Sequence, residues 1–352
     1  MITSFTGKEI TGVLSVLPEN EYIFEDEIAE SEAVRARRLK RIMGYGKRRR
    51  AKGDTTLSQM LLYGMEYLLD NKKIEKEEIG ALIVVTLSPD YYLPQISSIL
   101  HGELGLPVDV MCLDISQACS GFVIGLMQAF MLLEHMQDKK VVLCTGEVFN
   151  RKSSENEPKF THPPFGGDIA NICIVENSQR NGKIVYSSYT DGENRNYLQI
   201  HDGGFKYPMT IEKIQNQTNN LPFMGVDMDG SSVFNFVQKE VPPAIEEIVT
   251  LSGNQISDID FFLFHQPNKL MLQKLAERLN IPFEKLPMDI VEKLGNSDSG
   301  TIPAVMTTDV SEQLLSGYKL CCLSGFGAGL SWTSLVMEIG NLSFCENIIS
   351  NL

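Results

Sequence analysis

The chain has 352 residues, 43% of them hydrophobic and 22% charged, the make-up of a globular protein with room for one to three domains. A formal net charge of -14 speaks against a nucleic-acid binder as a whole, because phosphate affinity comes from clustered Lys and Arg. Seven cysteines without a C-x-x-C pair or other metal spacing argue for a reducing compartment, and the sequence shows neither a secretory signal nor an apolar run long enough for a bilayer, so a cytoplasmic protein without a membrane partner is expected.

In chain order, a strand is expected over 10–17, closed by Pro18, and a helix over 25–42, ended by Gly44 and Gly46. Arg35, Arg37, Arg38, Lys40, Arg41, Lys47, Arg48, Arg49, Arg50 and Lys52 form a basic segment against the acidic average. It reads either as a solvated face or as a landing surface for an anionic partner, namely coenzyme A or an acidic carrier protein. A helix over 55–69 follows, with Thr55 or Thr56 as N-cap. The continuous apolar run 79–87 reads as a strand covered on both faces. After a loop with Pro89 and Pro94 and a helix over 95–104, residues 113–122 turn from a strand through small residues into a helix expected over 121–136. Phe122, Val123, Leu126, Met127, Phe130 and Leu133 leave that helix almost no polar face, so it should be buried. A second buried strand is expected over 140–146. The Asn- and Gly-rich stretch 183–226 reads as surface loops and part of a substrate entrance.

The later chain repeats this order. Residues 259–265 answer 79–85 at a displacement of 180, and 319–325 answer 140–146 at 179. Between them, residues 294–300 fall where 118–121 fall in the first half, again before a helix, here over 301–315. Matched landmarks at nearly one displacement suggest two similar α/β halves, 1–177 and 178–352, packed face to face. The loops carrying Cys119 and Asn296 would then be opposite lips of one cleft, with His265 projecting into it from a strand end.

Cys119 is the candidate nucleophile. At the N-terminus of a buried helix, unpaired N–H groups and the positive end of the dipole favour the thiolate. A thiolate both attacks a thioester and leaves again at little cost. If a second substrate loses carbon dioxide to give an enolate, its negative oxygen needs preorganised donors, and an imidazole N–H of His265 and the amide N–H of Asn296 suit that task without a metal.

The order Cys in Ala118-Cys119-Ser120-Gly121-Phe122, His in His265-Gln266-Pro267-Asn268 and Asn in Gly295-Asn296-Ser297 resembles the β-ketoacyl-acyl-carrier-protein synthase III branch of the thiolase superfamily. Further landmarks resemble it from end to end: residues 43–51 its early glycine and arginine loop, 86–94 its dimer-interface loop, Phe165-Gly166-Gly167-Asp168 its glycine-aspartate turn, and 325–332 its glycine-rich ending. The resemblance implies a thiolase-like α/β fold, a five-layer α-β-α-β-α sandwich. It also implies a homodimeric acyltransferase that condenses an acyl group held on Cys119 with a malonyl thioester, using acyl-CoA or acyl carrier protein as substrates and no cofactor. It places an oxyanion hole at the backbone N–H groups of Cys119 and Ala328, and substrate contacts at Leu93, Phe165, Asn268 and Lys269. Leu93 would reach across the dimer into the partner's acyl tunnel. Carrier or CoA contacts would fall at Arg38, Arg41, Arg48 and Arg49. His162 lies near a loop that the family places by the cleft. The chain departs from the pattern at about Arg38, where enzymes using CoA primers carry a tryptophan, and at Asp298, which reads as a cap of the following helix or as a group that orients His265 or meets a polar substrate. Two rival readings are an acyltransferase serving a non-malonyl acceptor in secondary metabolism and a non-catalytic, carrier-binding partner subunit.

Overall fold

The computed structural model describes residues 1–149, 165–212 and 226–352. His162 lies outside the described residues. Two sheets form the frame. The first contains β2 (Lys8–Pro18), β5 (Ile79–Val85), β6 (Met111–Ile115), β7 (Lys140–Glu147), β8 (Ile169–Asn177) and β15 (Phe344–Ser350), in the order β15-β2-β8-β7-β5-β6. The second contains β1 (Ile2–Phe5), β9 (Ile184–Thr190), β12 (Phe261–Phe264), β13 (Lys319–Gly327) and β14 (Ser331–Ile339), in the order β1-β9-β14-β13-β12. Two small hairpin-like pairs stand apart: β3 (Asn20–Ile23) with β4 (Lys47–Arg50), and β10 (Leu198–Ile200) with β11 (Val226–Met228).

The two sheets share one plan. In the first, β2 runs antiparallel to β8, β8 antiparallel to β7, and β7 parallel to β5. In the second, β9, β14, β13 and β12 repeat that sequence of pairings. The outer strands are exchanged: β1 pairs with β9, and β15 pairs with β2. A cut between residues 177 and 178 therefore falls at the change of sheet, yet leaves one strand of each sheet on the far side of it.

Helices α4 (Gly121–Leu133) and α7 (Thr301–Thr308) fill the space between the sheets; α2 (Leu57–Asp70) and α3 (Ile96–Leu104) cover the outside of the first, and α5 (Gly230–Leu251) and α6 (Lys269–Leu279) the outside of the second. The result is the five-layer α-β-α-β-α sandwich. β5 shows why its sequence is apolar without alternation: Ala81, Ile83 and Val85 face the central helices, whereas Leu82 and Val84 face α2 and α3, so both faces are dry.

Several sequence boundaries shift for local reasons. The expected helix over 25–42 is α1 (Ala33–Met43), preceded by two short 3-10 turns and closed at Gly44 in the left-handed conformation. Thr56 caps α2 through a reciprocal box with Gln59. The helix expected over 301–315 breaks into Thr301–Thr308 and Ser311–Ser316. The largest correction concerns 183–226, read as loops: its first part is β9, an interior strand whose Ile184, Val185, Tyr186 and Ser187 are buried. Its Asn- and Gly-rich flanks mask a seven-residue strand.

Candidate active site

The first lip of the central cleft is the turn between β6 and α4. Cys119 is buried there, and the turn is fastened to the second half through Ser120. Gln117 donates from its amide to the hydroxyls of Ser120 and Ser331, at 2.8 and 3.0 Å, and those two hydroxyls lie 2.8 Å apart. The end of β13 comes up against the thiol. A Cβ on Gly327 would stand 2.8 Å from Cys119 Sγ, so glycine is what lets the Gly327-Ala328 turn approach the thiol.

The second lip runs from Leu294 to Thr301. Gly295 adopts φ +85° with the Gly167 backbone pressed against it, which turns the chain so that Asn296 enters the cleft. The Asn296 N–H donates to the Phe165 carbonyl at 2.8 Å, and the Gly167 N–H to the Asn296 carbonyl at 2.9 Å. Asn296 Oδ1 accepts from the Asp298 N–H at 2.9 Å. With its oxygen engaged, the amide NH2 is the end that can donate to a ligand.

His265 follows β12 and is buried. Its Nδ1 lies 2.9 Å from the Thr301 hydroxyl, which is also 2.9 Å from the Asp298 carbonyl. The hydroxyl has one proton for two acceptors. Given to Asp298, it requires the ring proton on Nδ1; given to Nδ1, it leaves the proton on Nε2 as a donor. Burial drives the His265 pKa down to about 3, opposed only by the Asp298 backbone, so the ring is neutral.

Electrostatics overturn one expectation. Burial, reinforced by the Asp298 and Glu147 carboxyls, pushes the Cys119 thiol well above its ordinary pKa, whereas the helix terminus had suggested a ready thiolate. Asp298 also corrects its own reading as a helix cap: Ser297 and Gly300 hold the cap positions, and the Asp298 Oδ1 instead receives the Cys119 thiol at 3.3 Å. Burial raises Asp298 to about 6. Glu147, at the end of β7, is raised well above the carboxylate range by burial and by Asp298, while it binds the Leu87 N–H and the Thr86 and Ser88 hydroxyls. Glu147 and Thr301 went unnoticed in the sequence; the only signal for either was its place at a strand end or helix start.

The other expected residues divide. Ala328 follows β13, and its carbonyl accepts from the Ser331 hydroxyl. Phe165 binds Asn296 through its backbone and stacks on Tyr45 with ring centroids 6.4 Å apart. Leu93 is 83% exposed and away from its own chain's core. Asn268 caps the helix that follows it, its Oδ1 accepting from Met271 N–H at 2.9 Å, and Lys269 is engaged by Asp289 at 2.9 Å and Glu292 at 3.7 Å. Arg38 and Arg41 stand exposed on α1. Arg48 does not: it is buried in an ion pair with Glu27 at 2.6 Å, which also receives the buried Arg50. Burying a guanidinium requires such a partner, so Arg48 holds the β3-β4 pair in place and offers nothing to a docked anion. Arg49 is half-buried against Glu21 at 2.7 Å.

This geometry can be set beside known proteins. The family description 3-oxoacyl-[acyl-carrier-protein] synthase III matches residues 113–192, and its C-terminal counterpart matches 250–339. The β-ketoacyl-[acyl-carrier-protein] synthase III of Latilactobacillus sakei is 31% identical over 287 residues, covering 80% of this chain and 85% of the relative. The chain belongs to the β-ketoacyl-acyl-carrier-protein synthase III family. A putative 3-oxoacyl-[acyl-carrier-protein] synthase 3 of Campylobacter jejuni is 28% identical over 99% of this synthase III chain and 98% of its own. The crystal structure of a 3-oxoacyl-(acyl-carrier protein) synthase from Burkholderia xenovorans superposes with a TM-score of 0.89 at 27% identity, covering 99% of both chains. As a synthase III, the protein is a condensing acyltransferase, and neither rival reading is favoured by these relatives. No helix among its described residues is long and apolar enough to cross a membrane.

Proposed function

We propose that Cys119 takes an acyl group from acyl-CoA or an acyl carrier protein, and that a malonyl thioester then decarboxylates and condenses with it. The observation that carries this reading is the meeting of two segments at one buried thiol, the Asn296 lip through Asp298 and the Gly327-Ala328 turn, with the His265 ring tied to the first of them through Thr301. The acyl carbonyl oxygen, once negative, would be held by the Cys119 and Ala328 backbone N–H groups. The enolate oxygen would be held by Asn296 NH2 and by His265 Nε2–H, in the tautomer that the Thr301 hydroxyl supports when it donates to Nδ1. None of these steps calls for a resident cofactor.

The dimer is argued from the surface. β6 is an edge strand with Met111 exposed, and Val108, Tyr91, Tyr92 and Leu93 add apolar area near it. An uncovered strand edge beside such side chains is the feature that a second copy would bury, with Leu93 entering the partner. Arg38 and Arg41, exposed on α1, would meet a carrier or CoA. Seven cysteines with no disulfide among them suit a cytoplasmic setting.

Intact-protein mass spectrometry after brief exposure to a panel of acyl-CoA and acyl-carrier thioesters tests the first step. One acyl adduct, absent from Cys119→Ala, is expected. An adduct that persists in the variant would move the nucleophile elsewhere.

A further inference from the structure

A carboxylate beside a catalytic thiol poses a physical problem. It opposes formation of a free thiolate, and its burial costs energy unless a cation or a donor hydrogen compensates it. Among the described residues, neither Asp298 nor Glu147 makes an ion pair with Lys or Arg. The partner of the Asp298 carboxyl is the Cys119 thiol itself, at 3.3 Å. The placement is built, because Asp298 sits in a left-handed backbone with φ +46°, its N–H given to Asn296 Oδ1 at 2.9 Å and its carbonyl 2.9 Å from the Thr301 hydroxyl. A non-glycine residue adopts that conformation at a cost, offset here by the hydrogen bond to Asn296 of the same site.

We propose that the Asp298 carboxylate is the base that takes the Cys119 proton as the sulfur attacks the acyl donor, and that it returns this proton to the departing thiol. In the resting site S–H donates to Asp298 Oδ1. As the S–C bond to the thioester carbonyl forms, the S–H bond breaks and its proton passes to the carboxylate, while the carbonyl electron pair moves to oxygen. When the tetrahedral adduct collapses, the C–S bond to the leaving group breaks, and the proton on Asp298 goes to that sulfur. The acyl-enzyme is left with Asp298 ionised, and no external acid or base is consumed.

The groups facing Asp298 are Cys119 from the turn before α4, Glu147 from the end of β7 and His265 from the end of β12. Burial and the neighbouring Asp298 carboxyl raise Glu147 well above its ordinary pKa, burial lowers His265 to about 3, and burial raises Asp298 to about 6, so Asp298 is ionised near neutrality. A base with that ionisation can serve a thiol whose own ionisation lies far higher.

The proposal rests on Cys119 as the nucleophile, so its test includes a probe that needs no acyl donor. Alkylation of Cys119 by iodoacetamide, and its acylation by an acyl-CoA, are followed by intact mass across pH for the unaltered protein, Asp298→Asn and Asp298→Glu, with thermal unfolding as the check on folding. In the unaltered protein the rate should rise up to about pH 6 and then stay level until the thiol itself ionises. Asp298→Asn should lose the level region, its logarithm climbing with unit slope, and acylation near neutrality should fall roughly 100-fold. Asp298→Glu should keep the level region. A unit-slope profile in the unaltered protein, which needs no variant to fold, overturns the proposal, as does an Asp298→Asn rate equal to or above it near neutrality. A level region for iodoacetamide with no adduct from any thioester would support the proton transfer and sink the synthase chemistry proposed for Cys119.

Discussion

The two lips of the cleft are built on matching frames and do different work. In each half a turn leads into a helix of the central layer, α4 or α7, beside a parallel pair of strands, β5-β7 or β12-β13. The first turn presents a thiol on a backbone pinned by Ser120 and Gln117. The second presents an amide, a carboxyl and a hydroxyl, linked to one another through Asn296, Asp298 and Thr301. In the proposed mechanism this is a division of labour: one half supplies the atom that bonds to substrate, and the other supplies the groups that manage protons and negative charge around it.

The largest effect should come from the first lip. Cys119→Ala removes the acyl acceptor and should abolish both acyl adduct and condensation. The methyl group fits the same buried space, so thermal unfolding should stay close to that of the unaltered protein, and a variant that still turned over would end the comparison. Asn296→Ala tests the second lip: condensation by pre-acylated protein, measured in a single turnover with malonyl carrier, should fall roughly 100-fold while acylation is spared. Equal loss of both steps would mean that the lips do not divide the work.

Gly327→Ala places an obstacle between the lips. Its Cβ would meet Cys119 Sγ and Cβ at 2.8 and 3.0 Å, so acylation should slow, and overpacking should lower stability by about 1–3 kcal/mol in urea unfolding. The smallest effect belongs to Thr301→Val, which keeps the shape but removes the hydroxyl between His265 and Asp298. Condensation should drop a few-fold, equivalent to about 1 kcal/mol, with acylation changed less. A larger change in acylation would show that Thr301 acts mainly through Asp298.

The sequence made the frame legible because buried parallel strands write themselves as unbroken apolar runs, as in Ile79–Val85. The order of Cys119, His265 and Asn296 and their positions at strand and helix ends marked the loops that the fold brings together. What stayed hidden was set by contacts between distant segments. Arg48 and Arg50 read as surface charge until Glu27, more than twenty residues earlier, is seen to bury with them. The state of the Cys119 thiol was misread because the helix end is local, whereas Asp298 arrives from the other half. The side-chain direction of Asp298 depends on a positive φ that Asp tolerates better than most residues but that the local sequence does not place.

The exchanged outer strands have a consequence for synthesis. As the polypeptide emerges from the ribosome, β2 can pair with β8, but its other edge waits for β15, at residues 344–350. The first half therefore cannot complete its own sheet until residues 344–350 are made, although its helices and inner strands are all present by residue 177. A nascent chain stalled before residue 344 is expected to expose the β2 edge to protease and to self-association, and release of the remaining residues should protect it. A strand more than three hundred residues downstream of β2 closes the half made first.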